Sequence, residues 1–279
     1  MLENVKIVAD SSSDVLALDR IPFASAPLKI VTAEKEYVDD ESLNVAGMVE
    51  DMLHYSEKSG TACPSVGDWL TAFGDARYVF CVTITSNLSG SYNSAVVAAQ
   101  EFEEKNPGSR VLVIDTLSTG PEMKLIMEKL RELVESGKEF DQIAEEIKAY
   151  QAHTGLLFML ESVKNLANNG RVSRVVASAV GILGIRILGR ASDQGRLEQL
   201  AKSRGEKKAL PALYQLLKQE GYAGGKLRIS HCLNESAANT LKGLVLGEYP
   251  DAEIEIYPAR GLCSFYAEKG GLLVGFEKN

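Results

Sequence analysis

Residues 78–100 read YVFCVTITSNLSGSYNSAVVAAQ, and the change of pattern inside this stretch decides the fold class. Tyr78–Thr85 is apolar and rich in β-formers, the composition of a buried strand. Ser86–Ser91 is a turn rich in hydroxyls and glycine, and Tyr92–Glu104 has the composition and periodicity of a helix. A strand delivered through a Ser/Gly turn onto a helix start gathers free N–H groups at the positive end of a helix dipole. That arrangement suits an anion. Ser86, Ser89 and Ser91 can add hydroxyl donors. Ordinary N-capping accounts for the same residues, since Ser and Asn cap helices generally.

The alternation continues on both sides. Val5–Asp10, Ala24–Thr32 and Arg110–Asp115 read as strands, and Ser42–Glu57, Val66–Ala76, Glu122–Ser136 and Phe140–His153 as helices. Strands and helices in turn predict an α/β fold with a largely parallel sheet flanked by helices. The character shifts between Tyr150 and Gly155. Beyond it come a strand at Gly155–Leu160, a short helix at Ser162–Ala167 and a turn at Asn168–Arg171. Ile185–Gly189 and Arg196–Lys202 read as two strands joined by a turn containing Gly195. Lys226–His231, Glu253–Tyr257 and Gly271–Phe276 are further strands, and Arg204–Gly221, Ser236–Tyr249 and Leu262–Glu268 further helices. The expectation is two α/β domains, residues 1–153 and 154–279, the second with a smaller mixed sheet.

Composition narrows the function. At 279 residues with 45% apolar and 24% charged residues, the chain can bury two ordinary cores. A net charge of −8 argues against nucleic acid, whose phosphates call for a basic surface. The four cysteines and three histidines are scattered without metal-ligand spacing, so no metal is expected. Val175–Ile185, the longest apolar stretch, is too short to span a bilayer, so no stable membrane insertion is expected. The N-terminus enters a strand without signal-peptide organisation, so a cytoplasmic protein is expected.

Several loops carry chemistry-bearing residues. Asp10-Ser11-Ser12-Ser13-Asp14 ends the first strand, where ligands sit in parallel sheets. The pair Asp10/Asp14 could serve an enzyme acting on a small anionic substrate, or simply cap the next segment. Asp39, Asp40 and Glu41 read as a solvated acidic stretch. Thr61-Ala62-Cys63-Pro64-Ser65 is a loop in which Ser65 can cap the following helix. Cys63 has no base to activate it. Val172–Leu183 is apolar and rich in small residues, which lets a ligand chain or another backbone approach closely. Nucleophile-elbow, P-loop and dinucleotide fingerprints are all missing, so the serines read as binding groups and no catalytic residue is expected.

In order along the chain, Asp10–Asp14, Pro27-Leu28 with Asp39, Thr61–Ser65 and Ser86–Tyr92 resemble the DegV family of bacterial fatty-acid-binding proteins. Asn169-Gly170-Arg171-Val172-Ser173 is similar to its Gly-Gly-Arg-Ile-Ser segment, and Leu183–Gly195 to its strand–turn–strand. Lys202-Ser203-Arg204-Gly205 with Lys207-Lys208 is similar to its Arg-Gly-Lys-Lys run. The resemblance implies a long-chain fatty acid in a tunnel between the two domains, with no other cofactor. Its carboxylate would meet Thr61 and Ser89 and the N–H groups near Ala62 and Gly90, with Ser65 and Ser86 as secondary donors. Arg171 would lie near the head group or a partner surface. The partner implied is a separate ATP-dependent fatty acid kinase subunit, which makes the acyl phosphate. Near the C-terminus the family commonly has a His, in a His-x-Gly-Pro-Gly segment, that also meets the carboxylate, whereas this chain has Cys263-Ser264-Phe265-Tyr266-Ala267-Glu268-Lys269-Gly270-Gly271. Tyr266 falls closest to the His position, and Ser264 is the other candidate. The family's usual Thr-Ser pair is Thr61-Ala62 here.

Overall fold

Two sheets of different construction face a common helix. In the computed structural model, which describes residues 2–172 and 184–279, the first sheet contains β1 (Val5–Asp10), β2 (Phe23–Ala26), β6 (Tyr78–Thr83) and β7 (Arg110–Asp115). All pairs are parallel, in the order β2-β1-β6-β7. Its strands are nearly continuous apolar runs because helices cover the sheet: α2 (Val66–Phe73), α3 (Ser91–Lys105), α4 (Gly120–Glu135) and α5 (Phe140–Gln151). A small antiparallel sheet, β4-β3-β5, is formed by β3 (Lys29–Val31), β4 (Glu36–Val38) and β5 (Gly60–Ala62), with α1 (Val45–His54) between β4 and β5 in the chain.

The second large sheet begins at Thr154. It contains β8 (Thr154–Leu160), β9 (Ile185–Ala191), β10 (Leu197–Arg204), β11 (Leu227–His231), β12 (Ile254–Pro258) and β13 (Leu272–Glu277), in the order β10-β9-β8-β13-β11-β12. Only β11 and β12 are parallel neighbours, so the sheet is mixed as expected. It is the wider sheet, six strands against four, where the sequence predicts the smaller one. Helices α6 (Lys164–Asn168), α7 (Glu206–Gln219), α8 (Glu235–Glu248) and α9 (Gly261–Ala267) complete the described chain. No helix among the described residues is long and apolar enough to cross a membrane.

Helix α4 joins the two large sheets. Met123, Ile126, Met127 and Leu130 pack in the core of the first sheet, while Glu122 and Glu128 turn towards the second and are buried as well. A helix covered on most of its faces is a core element, not a surface one. Gly275 on β13 makes the approach possible, because a Cβ there would lie 2.5 Å from Glu122 N and from the Pro121 carbonyl carbon. Gly275→Ala should therefore lower stability by about 1–3 kcal/mol, the usual cost of overpacking against backbone. A urea midpoint equal to that of the parent protein would show that α4 can move away freely.

Three expectations about the first half need correction. Ala24–Thr32 is two strands in two sheets, because Pro27 has no N–H to continue a ladder and Leu28 N–H donates to Ser11 Oγ at 3.0 Å. The polar stretch after Thr32 through Glu41, which the sequence presents as a turn, contains β4, too short at three residues to show alternation. Asp39 is not solvated: it is 1% exposed and accepts hydrogen bonds from the start of α9. The small-residue stretch Val172–Leu183 lies almost wholly outside the described residues.

Candidate functional site

Loops at the carboxyl ends of β6 and β7 meet β8 and β13 of the mixed sheet around a cavity of about 810 Å³, counting the part open to solvent. Leu28, Ile84, Leu156, Phe158, Leu160 and Leu273 give it apolar walls from both large sheets and the segments beside them. This is the position where parallel α/β sheets place ligands. Among the described residues the lining contains no carboxylate and two cations, Arg171 and Arg196.

The polar groups gather in one cluster. Thr61 on β5 and Tyr266 on α9 share a hydrogen bond of 2.8 Å between Oγ1 and Oη, across 205 positions of sequence. Arg171 Nε donates to Leu88 O at 3.1 Å, and a second guanidinium nitrogen donates to Asn169 O. That fixes the guanidinium against the turn that carries Ser89. Burial raises the Tyr266 phenol above its ordinary pKa, while the Thr61 contact and the Arg171 charge pull it down. The phenol is a neutral donor at physiological pH. Ser89 Oγ accepts from Ser91 N–H at 3.2 Å, and its own hydroxyl hydrogen remains to donate. Gly90 is the N-cap of α3, with no side-chain cap and no acidic residue in the first turn, so the helix end stays positive.

Of the predicted site residues, Thr61, Ser89, Tyr266 and Arg171 line the cavity together. Ala62 and Gly90 adjoin them in sequence without lining it; a Cβ on Gly90 would touch Cys63 Sγ at 3.2 Å. Ser65 is elsewhere: it caps α2 in a box with Asp68, donating to Asp68 Oδ2 at 2.7 Å. Ser86 lies outside the lining, its N–H donating to Asp115 Oδ1 at 3.1 Å. Ser264 is on the other face of α9, donating to Ala259 O at 3.0 Å, so of the two only Tyr266 lines the cavity.

Asp10 and Asp14 lie behind the wall, outside the lining. Asp10 accepts from Ile84 N–H at 2.9 Å and Ser91 Oγ at 2.6 Å, and its other oxygen accepts from Ser12. Both oxygens are occupied in joining β1, β6 and the start of α3, which places the Ser89 turn. Asp14 Oδ1 accepts from Arg260 N–H at 2.7 Å. Besides the apolar walls, two polar lining segments lie away from the predicted site residues. Leu117-Ser118-Thr119 follows β7, beside β6 in a parallel sheet, so topology could have pointed to it. Gly195 and Arg196, at the β9–β10 turn, are held by Thr85 Oγ1 donating to Gly195 O at 3.0 Å, a long-range contact with no local signal.

Comparison with known proteins adds independent findings. Residues 4–279 match the family model described as an uncharacterised protein of the DegV family. A DegV domain-containing protein of Streptococcus pneumoniae is 45% identical over 276 residues, covering 98% of this chain and 98% of its own. The fatty acid kinase B3 protein of Streptococcus pneumoniae, solved loaded with linoleic acid, is 44% identical with a TM-score of 0.97, covering 99% of this chain and 100% of its own. A DegV family protein of Eubacterium eligens, loaded with heptadecanoic acid, is 44% identical with a TM-score of 0.96 and the same coverage.

Proposed function

The chain belongs to the DegV family, and from that premise we propose that it binds one long-chain fatty acid, tail in the apolar cavity and carboxylate at Thr61, Ser89 and Tyr266 beside Arg171. One observation carries this reading: an apolar cavity lined by cations but no carboxylate among the described residues, with its hydroxyl donors gathered in one cluster. Fatty acids occupy the two similar structures, which supports the ligand class. At ~0.8 kcal/mol per methylene, a tail of about fifteen would contribute on the order of 12 kcal/mol before ordering costs. The tail supplies affinity, and the donors set which end faces outward.

The chain performs no catalysis itself and presents the carboxylate to a separate ATP-dependent kinase subunit. Support comes from the exposed residues Cys63, Asn87 and Gly90 around the head-group cluster, and from the similar protein named for fatty acid kinase. The test is mass spectrometry of the organic extract from protein never delipidated. One equivalent of a long-chain fatty acid is expected. Thr61→Val and Ser89→Ala should each weaken oleate binding by about tenfold, the effect of losing one hydrogen bond to a charged group, without unfolding the protein. An empty extract, with no thermal stabilisation by oleate or palmitate, would overturn the ligand. Retained lipid with unchanged affinity in both variants would overturn the head-group assignment alone.

A further inference from the structure

Tyr266 sits in the last turn of α9, a helix of seven residues whose own N-cap residue, Arg260, supplies no side-chain cap. The cap comes from the other half of the chain. Asp39 Oδ1 accepts from Gly261 N–H at 2.8 Å, and Asp39 Oδ2 from Leu262 N–H at 2.8 Å. Asp39 directly follows β4, and Thr61 lies on β5 of the same three-stranded sheet. One small sheet thus holds α9 at two points, its start through Asp39 and its end through Thr61. Gly261 is required for this contact, because a Cβ there would lie 2.7 Å from Asp39 Oδ1 and 2.5 Å from Leu43 Cδ2.

We propose that Asp39 is a positioning residue for fatty-acid carboxylate binding, fixing α9 so that the Tyr266 phenol meets Thr61. The inference rests on the head-group reading above. A hydrogen bond of 2.8 Å between two side chains does not survive a shift of about 1 Å along the helix axis. An anchor at the first turn sets that register. Asparagine at position 39 would turn one of the two acceptors into an amide donor facing a backbone donor, releasing the first turn.

The test compares delipidated Asp39→Asn, Gly261→Ala and Tyr266→Phe proteins, each checked for folding by circular dichroism. Ligands are oleate and oleyl alcohol, the same tail without the charge. Asp39→Asn and Gly261→Ala are each expected to weaken oleate by about tenfold while changing the alcohol by less than about twofold. Neither should add to the loss already caused by Tyr266→Phe, because residues acting through one another are not additive. Gly261→Ala keeps the carboxylate and tests the same geometry if Asp39→Asn fails to fold. Equal losses for oleate and the alcohol would mean general loosening and overturn the proposal. So would full additivity with Tyr266→Phe, or unchanged oleate affinity in a folded variant. Tyr266→Phe without effect on oleate would overturn the head-group reading, and this inference with it.

Discussion

Replacing Arg228 with methionine is expected to destabilise the protein by about 3–5 kcal/mol, the cost of leaving a buried carboxylate unpaired. Arg228 projects from β11 and is 4% exposed. Its Nη2 donates to Glu128 Oε2 at 2.7 Å and its Nε to Glu128 Oε1 at 3.0 Å, a fork-to-fork pair with helix α4. It also donates to the Glu253 side chain and to Glu253 O. Glu253 is exposed and can be solvated when the arginine is gone, but Glu128 is 7% exposed and cannot. The loss therefore falls mainly on Glu128. Urea denaturation at neutral pH measures it. Arg228→Met combined with Glu128→Leu should recover most of the loss, because a buried pair replaced whole by apolar side chains comes near to break-even. If the double variant is as unstable as the single one, the arginine acts through its bonds to backbone oxygens and not through Glu128.

This pair also marks where sequence reasoning reaches its limit. The two central strands of the parallel sheet, Val5–Asp10 and Tyr78–Thr83, show in the chain because burial on both faces demands a nearly unbroken apolar run. The Ser89 turn shows because strand, Ser/Gly turn and helix are contiguous. Thr61, Arg171 and Tyr266 come from a motif-level resemblance, since nothing local tells a binding hydroxyl from a capping one. Asp39 belongs to the same resemblance, but its capping role was illegible for the opposite reason. Its partners are 222 and 223 positions away, and beside Asp40 and Glu41 it has the appearance of a solvated run. Helix geometry alone narrows the choice between Tyr266 and Ser264. Residues two apart on a helix point to opposite sides, so only one of them can face a cavity.

Wild-type protein freed of lipid is expected to be more stable at pH 5 than at pH 8, with Asp14 as one cause. Burial pushes the Asp14 carboxyl up from 3.8 to about 7; the Arg260 N–H opposes this and the charge on Asp39 adds to it. Its Oδ2 is buried with no hydrogen-bond partner, as are Ser230 Oγ and Tyr257 Oη nearby, among the described residues. A raised carboxyl pKa means that the folded state holds the proton more tightly than the unfolded state. The contribution is therefore fully present below about pH 4 and is lost as pH rises through 7. The whole span corresponds to about 4 kcal/mol, of which about 2–3 kcal/mol falls between pH 5 and pH 8. Asp10, Asp39 and Glu122 are also raised by burial and slope the same way. Asp14→Asn isolates the effect. Its amide oxygen can still accept from Arg260 N–H, and its NH₂ can donate to the unpartnered Ser230 or Tyr257 hydroxyl. Asparagine also tolerates the left-handed backbone here, at φ of 60°, better than most residues. The variant should be more stable than wild type by about 2–4 kcal/mol at pH 8, with the gap closing towards pH 4. Urea unfolding across this range decides the matter. A gap that does not change with pH would mean that Asp14 titrates alike in the folded and unfolded chains, and that its burial is relieved by groups outside this cluster.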